Sequence, residues 1–385
     1  MKYLVLGCGL QGRVIAYDLL QHDENAYVTV ADIDDDNLEK AKNLIKSDNL
    51  TLEKFNIQNR EETVALMSKA DVIVISLPHD WETTEAVYQS LAQTNNKKVV
   101  FSDYWLWDKH HLFDEDLKKA KVLAVPGLGI APGLANIMVG QLAHEFDQLE
   151  DATIYVGGLP AEKGTCPIDY MELFNVEAML DMYLTPATVI EDGKLVKKDI
   201  LKPHDTLIIP GHGEVEVFYT DGLCSLSKTM LEKGVNNVCE CTLRYPGHLA
   251  TMKELYDYGF FSSEPIEING VEIRPRDFTE KVLVKLWKKV PGIRDITYLY
   301  VVGKGKIDGK NCYKAYEVLT RSDEEVGITS MEIATAYPIS VAALILAYEN
   351  IDLYGVIEPE NVFVGEFFDK MVELLAERDM IVYEK

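Results

Sequence analysis

Basic residues are in short supply. The chain has 385 residues, with 38 lysines and arginines against 63 aspartates and glutamates, a formal net charge of -25 at pH 7. That deficit argues against nucleic acid and against an anionic bilayer as partners, because both would be repelled. Any anionic part of a ligand must find its own local cation. Cysteine is sparse as well. Of Cys8, Cys166, Cys224, Cys239, Cys241 and Cys312, only Cys239 and Cys241 are close in sequence, and one residue between them with no second pair is not zinc spacing. No metal site and no disulfide framework are expected. Long apolar runs are missing too. The longest, Ile333 to Tyr348, contains Pro338, is short for a bilayer span and reads as a buried helix. A strand pattern starts with the first residues, so no signal peptide is expected. A cytoplasmic setting with reduced thiols is the expectation. Repeats and low-complexity segments are absent from the pattern.

Apolar residues are plentiful, at 47%, and the length suits two domains. The first half alternates short apolar runs with helical spacing. Tyr3 to Leu6 reads as a strand, and Val14, Ile15, Leu19 and Leu20 recur on one helix face. Between them lies Gly7-Cys8-Gly9-Leu10-Gln11-Gly12, a G-x-G-x-x-G turn. Strand, glycine turn and helix in this order suit a dinucleotide pyrophosphate. Gly7 makes the turn tight, Gly9 leaves the backbone approachable, and Gly12 lets helix and strand pack closely. The helix N-terminus supplies unpaired N–H groups to the phosphates. The next strand, Tyr27 to Ala31, ends at Asp32, about 20 residues past Gly12, where a carboxylate can accept the adenosine ribose hydroxyls. Ile33, Asp34, Asp35 and Asp36 follow with no arginine to clamp a 2′-phosphate, so NAD is expected over NADP.

Further strands end at Asn56-Ile57, at Ser76-Leu77-Pro78-His79, at Ser102-Asp103-Tyr104 and at Gly127 to Pro132. In an open parallel sheet those carboxyl ends hold the ligand. The expected fold is therefore α/β: a Rossmann doubly wound parallel sheet over residues 1–130. From about Ala152 the pattern becomes strand-rich, with Gly and Pro turns. This reads as an inserted α/β substrate and dimerisation domain over 131–326, built on a mixed or antiparallel sheet. Residues 327–385 read as a helical segment returning to the first domain.

Several stretches together resemble the saccharopine dehydrogenase superfamily. They are "GCGLQGRVIAYDL", "VPGLGIAPGLANIM", "YVGGLP", "FNVEAMLDMYLTPATVIEDGK", "FYTDGLCSL" and "TLRYPGH". The lysine 6-dehydrogenase branch is the most similar. The resemblance implies NAD-dependent oxidation of the side-chain amine of L-lysine. The 6-semialdehyde formed, with loss of ammonia, cyclises to a piperideine-6-carboxylate. It also implies a homodimer. The saccharopine branch itself carries an acid in a "GLDPG" loop, where this chain has Ala131 in "GIAPG". The alternatives are a saccharopine- or carboxynorspermidine-type reductase, which joins an amino acid to an aldehyde, and a non-catalytic NAD-sensing protein.

Amine oxidation needs a hydride acceptor, a base for the ammonium proton and activated water for the imine. Asp103, just past a strand end, is the first candidate for the base; its plainer reading is a helix cap. Tyr104 is a candidate for stacking on the nicotinamide or for the core, and His79 for a cofactor contact or a cap. Arg244, in "TLRYPGH", suits a bidentate carboxylate clamp, and otherwise a structural salt bridge. The related saccharopine enzymes use an arginine in a similar stretch for a substrate carboxylate. His248 is a candidate proton shuttle, or a helix-terminal residue bound to water. Tyr170, Glu172 and Glu177 are candidates for holding an ammonium, and Glu177 reads also as a solvated helix face. Asp221 reads most simply as a turn residue before Gly222.

Overall fold

The structure, a computed structural model, describes residues 1–102, 106–173, 176–288 and 292–385. The chain divides into two compact units. The first comprises Met1–Asp147, Cys224–Leu226 and Glu332–Val382, and the second Gln148–Leu223, Ser227–Met331 and Tyr383–Lys385.

In the first unit, strands and helices alternate: β1 (Lys2–Leu6), α1 (Leu10–His22), β2 (Tyr27–Asp32), α2 (Asp35–Leu44), β3 (Leu50–Lys54), α3 (Arg60–Ser68), β4 (Val72–Ile75), α4 (Trp81–Leu91), β5 (Lys98–Phe101), α5 (Asp114–Lys119), β6 (Leu123–Val125) and α6 (Ala135–Glu145). Local signals set several helix starts. Asp34, Asn59 and Asp80 each accept a backbone N–H in the first turn of α2, α3 and α4. The chain then enters the second unit with β7 (Gln148–Pro160), α7 (Val176–Met182), β8 (Ala187–Glu191), β9 (Lys194–Lys198), β10 (Asp205–Ile209), β11 (Gly213–Thr220), α8 (Leu226–Glu232), β12 (Asn237–Arg244), α9 (His248–Asp257), β13 (Ile266–Ile268), β14 (Val271–Ile273), α10 (Pro275–Trp287), β15 (Asp295–Ile307) and β16 (Lys310–Arg321). It closes with α11 (Ser330–Tyr348), β17 (Gly355–Val356), α12 (Pro359–Val362), α13 (Glu366–Ala376) and β18 (Tyr383–Glu384).

The first sheet is parallel, in the order β17-β6-β5-β4-β1-β2-β3. Six of its strands give the Rossmann order 3-2-1-4-5-6. The seventh, β17, joins from the C-terminal segment that the sequence pattern shows only as helical. The first unit continues past residue 130 to Asp147 because α6 is one of its core helices. A Cβ on Gly140 would lie 2.4 Å from the Glu360 carbonyl oxygen, so α6 and α12 are in backbone contact. Helix α11 is long and apolar enough to cross a membrane by length and composition, but most of it is buried inside the structure. That fits the sequence reading of a core helix.

The second sheet is mixed. Its main path is β10-β11-β12-β7-β15-β16-β18, with β8 and β9 paired at the side of β12. β12 and β7 run parallel and their other neighbours antiparallel. The β15–β16 hairpin turns on Asp308 and Gly309, both at positive φ, the conformation a two-residue hairpin turn demands. Side chains of α7, α9 and α10, Trp287 among them, form a core with Tyr170, with Tyr183 just past α7 and with Phe218 of β11.

One buried ion pair ties the C-terminal segment to α1. Arg378 donates from Nε to both oxygens of Asp18 at 2.9 Å, Ser340 of α11 also donates to Asp18, and both charged side chains are fully buried. Removing one partner leaves a charge stranded in low dielectric. Arg378→Ala is therefore expected to cost about 3–5 kcal/mol of stability. Denaturant unfolding checks it; a loss below about 1 kcal/mol would show that the pair is not what holds these elements together.

Candidate functional site

In the first unit the glycine turn has the geometry the sequence predicts. Gly7 has φ +94, and a Cβ there would lie 2.0 Å from the Ser76 carbonyl oxygen; a Cβ on Gly12 would lie 1.9 Å from the Gly7 oxygen. Neither position admits a side chain. A Cβ on Gly9 would meet nothing within 4 Å, so the backbone there is open to an incoming group. Gly9 caps α1 without a side-chain hydrogen bond, which leaves first-turn N–H groups for an anion. Leu10 is exposed, and the Gln11 amide oxygen is buried without a partner. Asp32 ends β2, almost buried, and accepts from Cys8 N at 2.5 Å and Asp34 N at 2.8 Å. It thereby holds the glycine turn to the end of the next strand. Ile33 is exposed beside it. Asn56 accepts from Gln58 N, and Ile57 packs on the core. Ser76 and Leu77 are half-buried beyond β4, with Pro78 and His79 exposed at the edge. The cap of α4 is Asp80, not His79. These side chains and backbone groups fit a dinucleotide along the carboxyl edge of the sheet.

The second unit gathers another set of polar groups. Arg244 ends β12 and is 2% exposed. Its Nη1 donates to the Leu243 carbonyl at 2.8 Å, its guanidinium lies 4.9 Å from the Tyr170 ring centre, and its Nε has no partner. Among the described residues it makes no ion pair. Tyr183 sits beside it and donates its hydroxyl to His248 Nε2 at 2.7 Å, while His248 Nδ1 donates to the Ile168 carbonyl at 2.9 Å. Burial and the neighbouring Arg244 charge push His248 down to about 3, so the ring is neutral. The Tyr170 hydroxyl and Trp287 Nε1 are buried without partners, with the two rings 5.0 Å apart. Two pleats back along β12, on the same face, lies Glu240, 5% exposed. Its Oε1 accepts from Thr220 Oγ1 at 3.5 Å and its Oε2 has no partner. Burial, and repulsion from Asp221, push this carboxyl up to about 8.

Thus Tyr170, Arg244 and His248 converge in one cluster. His248 begins α9, as its plainer reading expects, but its ring is bound to Tyr183 and Ile168 rather than to water. A neutral ring with both nitrogens engaged holds Tyr183 in place. Glu172 donates its backbone N–H to the Trp287 carbonyl. Glu177 falls in α7. Asp221 is an exposed turn residue that accepts from Thr188 N at 2.8 Å. Asp103 and Tyr104 lie outside the described residues. Sequence reasoning missed Tyr183, Trp287 and Glu240. The signal for Glu240 was the run Glu240, Thr242, Arg244 at alternate positions of a strand, which puts three polar groups on one face.

Two family models cover almost the whole chain: the saccharopine dehydrogenase NADP binding domain over residues 3–125, and the saccharopine dehydrogenase C-terminal domain over 129–381. The chain belongs to the saccharopine dehydrogenase family. Its first unit carries that family's nicotinamide-nucleotide binding domain. Among curated members, the chain is 24% identical over 230 residues to a saccharopine dehydrogenase [NADP(+), L-glutamate-forming] of Pyricularia oryzae, covering 57% of this chain and 50% of that protein. It is 22% identical over 227 residues to an alpha-aminoadipic semialdehyde synthase of Arabidopsis thaliana, covering 56% of this chain and 21% of that one. The chain therefore matches half or less of the length of these relatives. Saccharopine dehydrogenase (L-Glu forming) of Saccharomyces cerevisiae shares the fold, with a TM-score of 0.81 at 20% identity, covering 100% of this chain and 99% of that one.

Glu240 makes stability depend on pH. In the unfolded chain its carboxyl titrates near 4.5, and in the folded protein near 8. Between these values the folded state binds the extra proton, so the contribution is intact below about 4.5 and is lost as pH rises through about 8. Glu240→Gln removes that loss. Its melting temperature should match the native protein near pH 4.5 and exceed it progressively up to pH 9. A constant difference across this range would mean that the group does not titrate as described.

Proposed function

We propose that this chain oxidises the side-chain amine of L-lysine with NAD, releasing ammonia and the 6-semialdehyde that cyclises to piperideine-6-carboxylate. The observation that carries the reading is Arg244, a buried guanidinium with an unpartnered Nε and no ion pair among the described residues. In a chain of net charge -25, an anionic substrate needs such a local cation. Arg244 is held by Tyr170 across its face and by Tyr183 at its side, and His248 keeps Tyr183 in place. The orphaned Tyr170 hydroxyl and Trp287 Nε1 are further donors for a carboxylate. The nicotinamide, when bound, supplies the acceptor for hydride. Asp103, past β5, is proposed as the base, and Glu177 and Tyr104 as further contacts to substrate and cofactor. The resemblance extends the proposal to a homodimer.

Losing a bidentate pair should cost about 2–4 kcal/mol of substrate binding, and a factor of ten is about 1.4 kcal/mol. Arg244→Ala should raise the KM for lysine by about one to three orders of magnitude on that scale. Arg244→Lys should recover only part, since a point charge cannot reproduce the fork. Cadaverine, which is lysine without its carboxylate, should be a poor substrate of the native enzyme and far less affected by Arg244→Ala. Equal losses for both amines, or a variant that fails to fold, would make Arg244 structural.

NAD is proposed on the strength of Asp32. Its carboxylate would meet a 2′-phosphate with its own sign, and Asp34, Asp35 and Asp36 add to the repulsion. Lys54, its cross-strand neighbour, is paired with Asp35 and so offers a phosphate little net charge. The relatives' names point to NADP, which makes the measurement decisive. Asp32→Ala should weaken NAD and improve NADP relative to it, and Asp32→Asn should do the same while keeping an acceptor for the glycine turn. Tighter NADP binding by the native protein would overturn the assignment.

A second reading is a saccharopine-type reductase, favoured by the names of the curated relatives. It requires an amino acid and an aldehyde together in the reductive direction. Lysine alone reducing the nicotinamide supports the first reading, and a requirement for both partners supports the second. Ala131, where the saccharopine branch carries an acid, favours the first.

A further inference from the structure

Glu240 is costly where it stands. A carboxyl that is 5% exposed, with one oxygen unpartnered, destabilises a fold unless something offsets the burial. The charged or ionisable groups acting on it, Asp221 and the Cys239 thiol, share its sign. Its polar neighbours on the sheet are the hydroxyls of Thr220 and Thr242. Thr220 reaches Oε1, and Thr220 and Thr242 are 3.1 Å apart. The turn after β11 closes one side, since a Cβ on Gly222 would lie 1.8 Å from Oε1. Among the described residues, what the site lacks is a cation.

The complement lies on the same strand. Glu240, Thr242 and Arg244 occupy one face of β12, in register with Thr220, Phe218 and Glu216 of β11. The carboxyl has an open acceptor, and the guanidinium an open donor. The two side chains leave the strand about 13 Å apart, at about 3.3 Å per residue. A charge-assisted hydrogen bond of about 3 Å at each end leaves about 7 Å. At about 1.25 Å of advance per single bond in an extended chain, that is the span of an amino acid of about six carbons with a terminal amine.

We propose that Glu240 is a specificity-determining residue that receives the terminal ammonium of an ω-amino carboxylate anchored at Arg244. The proposal rests on the reading of Arg244 as the carboxylate clamp. It adds the reason for discrimination: a terminal ammonium lets the buried, protonated carboxyl ionise and pair, whereas a second carboxylate at that end gains no ion pair from it and opposes its ionisation. A buried acid kept at a cost in stability is the usual mark of a binding or catalytic group.

The test is calorimetry on the full chain in the presence of oxidised nicotinamide nucleotide, with three probes of equal length: 6-aminohexanoate, hexanoate and adipate. The native protein should bind 6-aminohexanoate at least tenfold more tightly than hexanoate, and adipate no better than hexanoate. Glu240→Gln should reduce the preference for the amine to about one while leaving hexanoate unchanged, and Glu240→Asp should restore part of it. Equal binding of 6-aminohexanoate and hexanoate by the native protein overturns the proposal, without reference to any variant. An unchanged preference in Glu240→Gln overturns it too. If the preference holds but lysine does not reduce the nicotinamide, the proposed oxidation fails and the assignment of Glu240 stands.

Discussion

Strand β12 is the constraint on which the second unit depends. It lies inside the mixed sheet, between β11 and β7, where both faces are covered and apolar residues would be the stable choice. One face instead carries Glu240, Thr242 and Arg244. The surrounding structure follows from accommodating them. Tyr170 covers the guanidinium, Tyr183 bonds beside it, His248 stays neutral to hold Tyr183, and Trp287 closes the cluster. An all-apolar strand would be more stable.

The first unit is organised by a different constraint, the approach of backbone to backbone. At Gly7 and Gly12 there is no space for a methyl group, so α1 starts directly at the carboxyl end of β1 with its N–H groups facing outward. Asp32 ties this turn to β2 through the Cys8 amide. The far side of α1 is held by the buried Asp18–Arg378 pair, so the helix is fixed from the glycine turn to the C-terminal segment. A phosphate site made of backbone needs this rigidity, because its donors have no side-chain freedom to adjust.

The two kinds of recognition carry different information. Backbone N–H groups at a helix start read a phosphate of any nucleotide, whereas the choice between nicotinamide cofactors falls to Asp32 and the acids after it. In the second unit, a buried cation and a buried acid stand on one face of one strand, four residues apart.

The sequence by itself determined what depends on near neighbours. The βαβ alternation, the glycine turn, Asp32 at the end of β2 and the buried helix at Ile333 to Tyr348 are all local patterns, because each is set by residues within a turn or a pleat of one another. Arg244 was legible as a candidate from charge scarcity and resemblance, and Tyr170 as a polar residue of the insert read to hold an ammonium; the structure sets it over the Arg244 guanidinium instead. Tertiary structure alone decided the rest. Gly355 and Val356 become a strand only because β6 offers its edge. The first unit extends to Asp147 because Gly140 packs on the backbone of Glu360. His248 is neutral because it is buried and lies near the Arg244 charge, and its ring is held by Tyr183 and Ile168, both distant in sequence. Glu240 reads in sequence as an ordinary strand residue, and its meaning comes from burial without a cation, which no local pattern records.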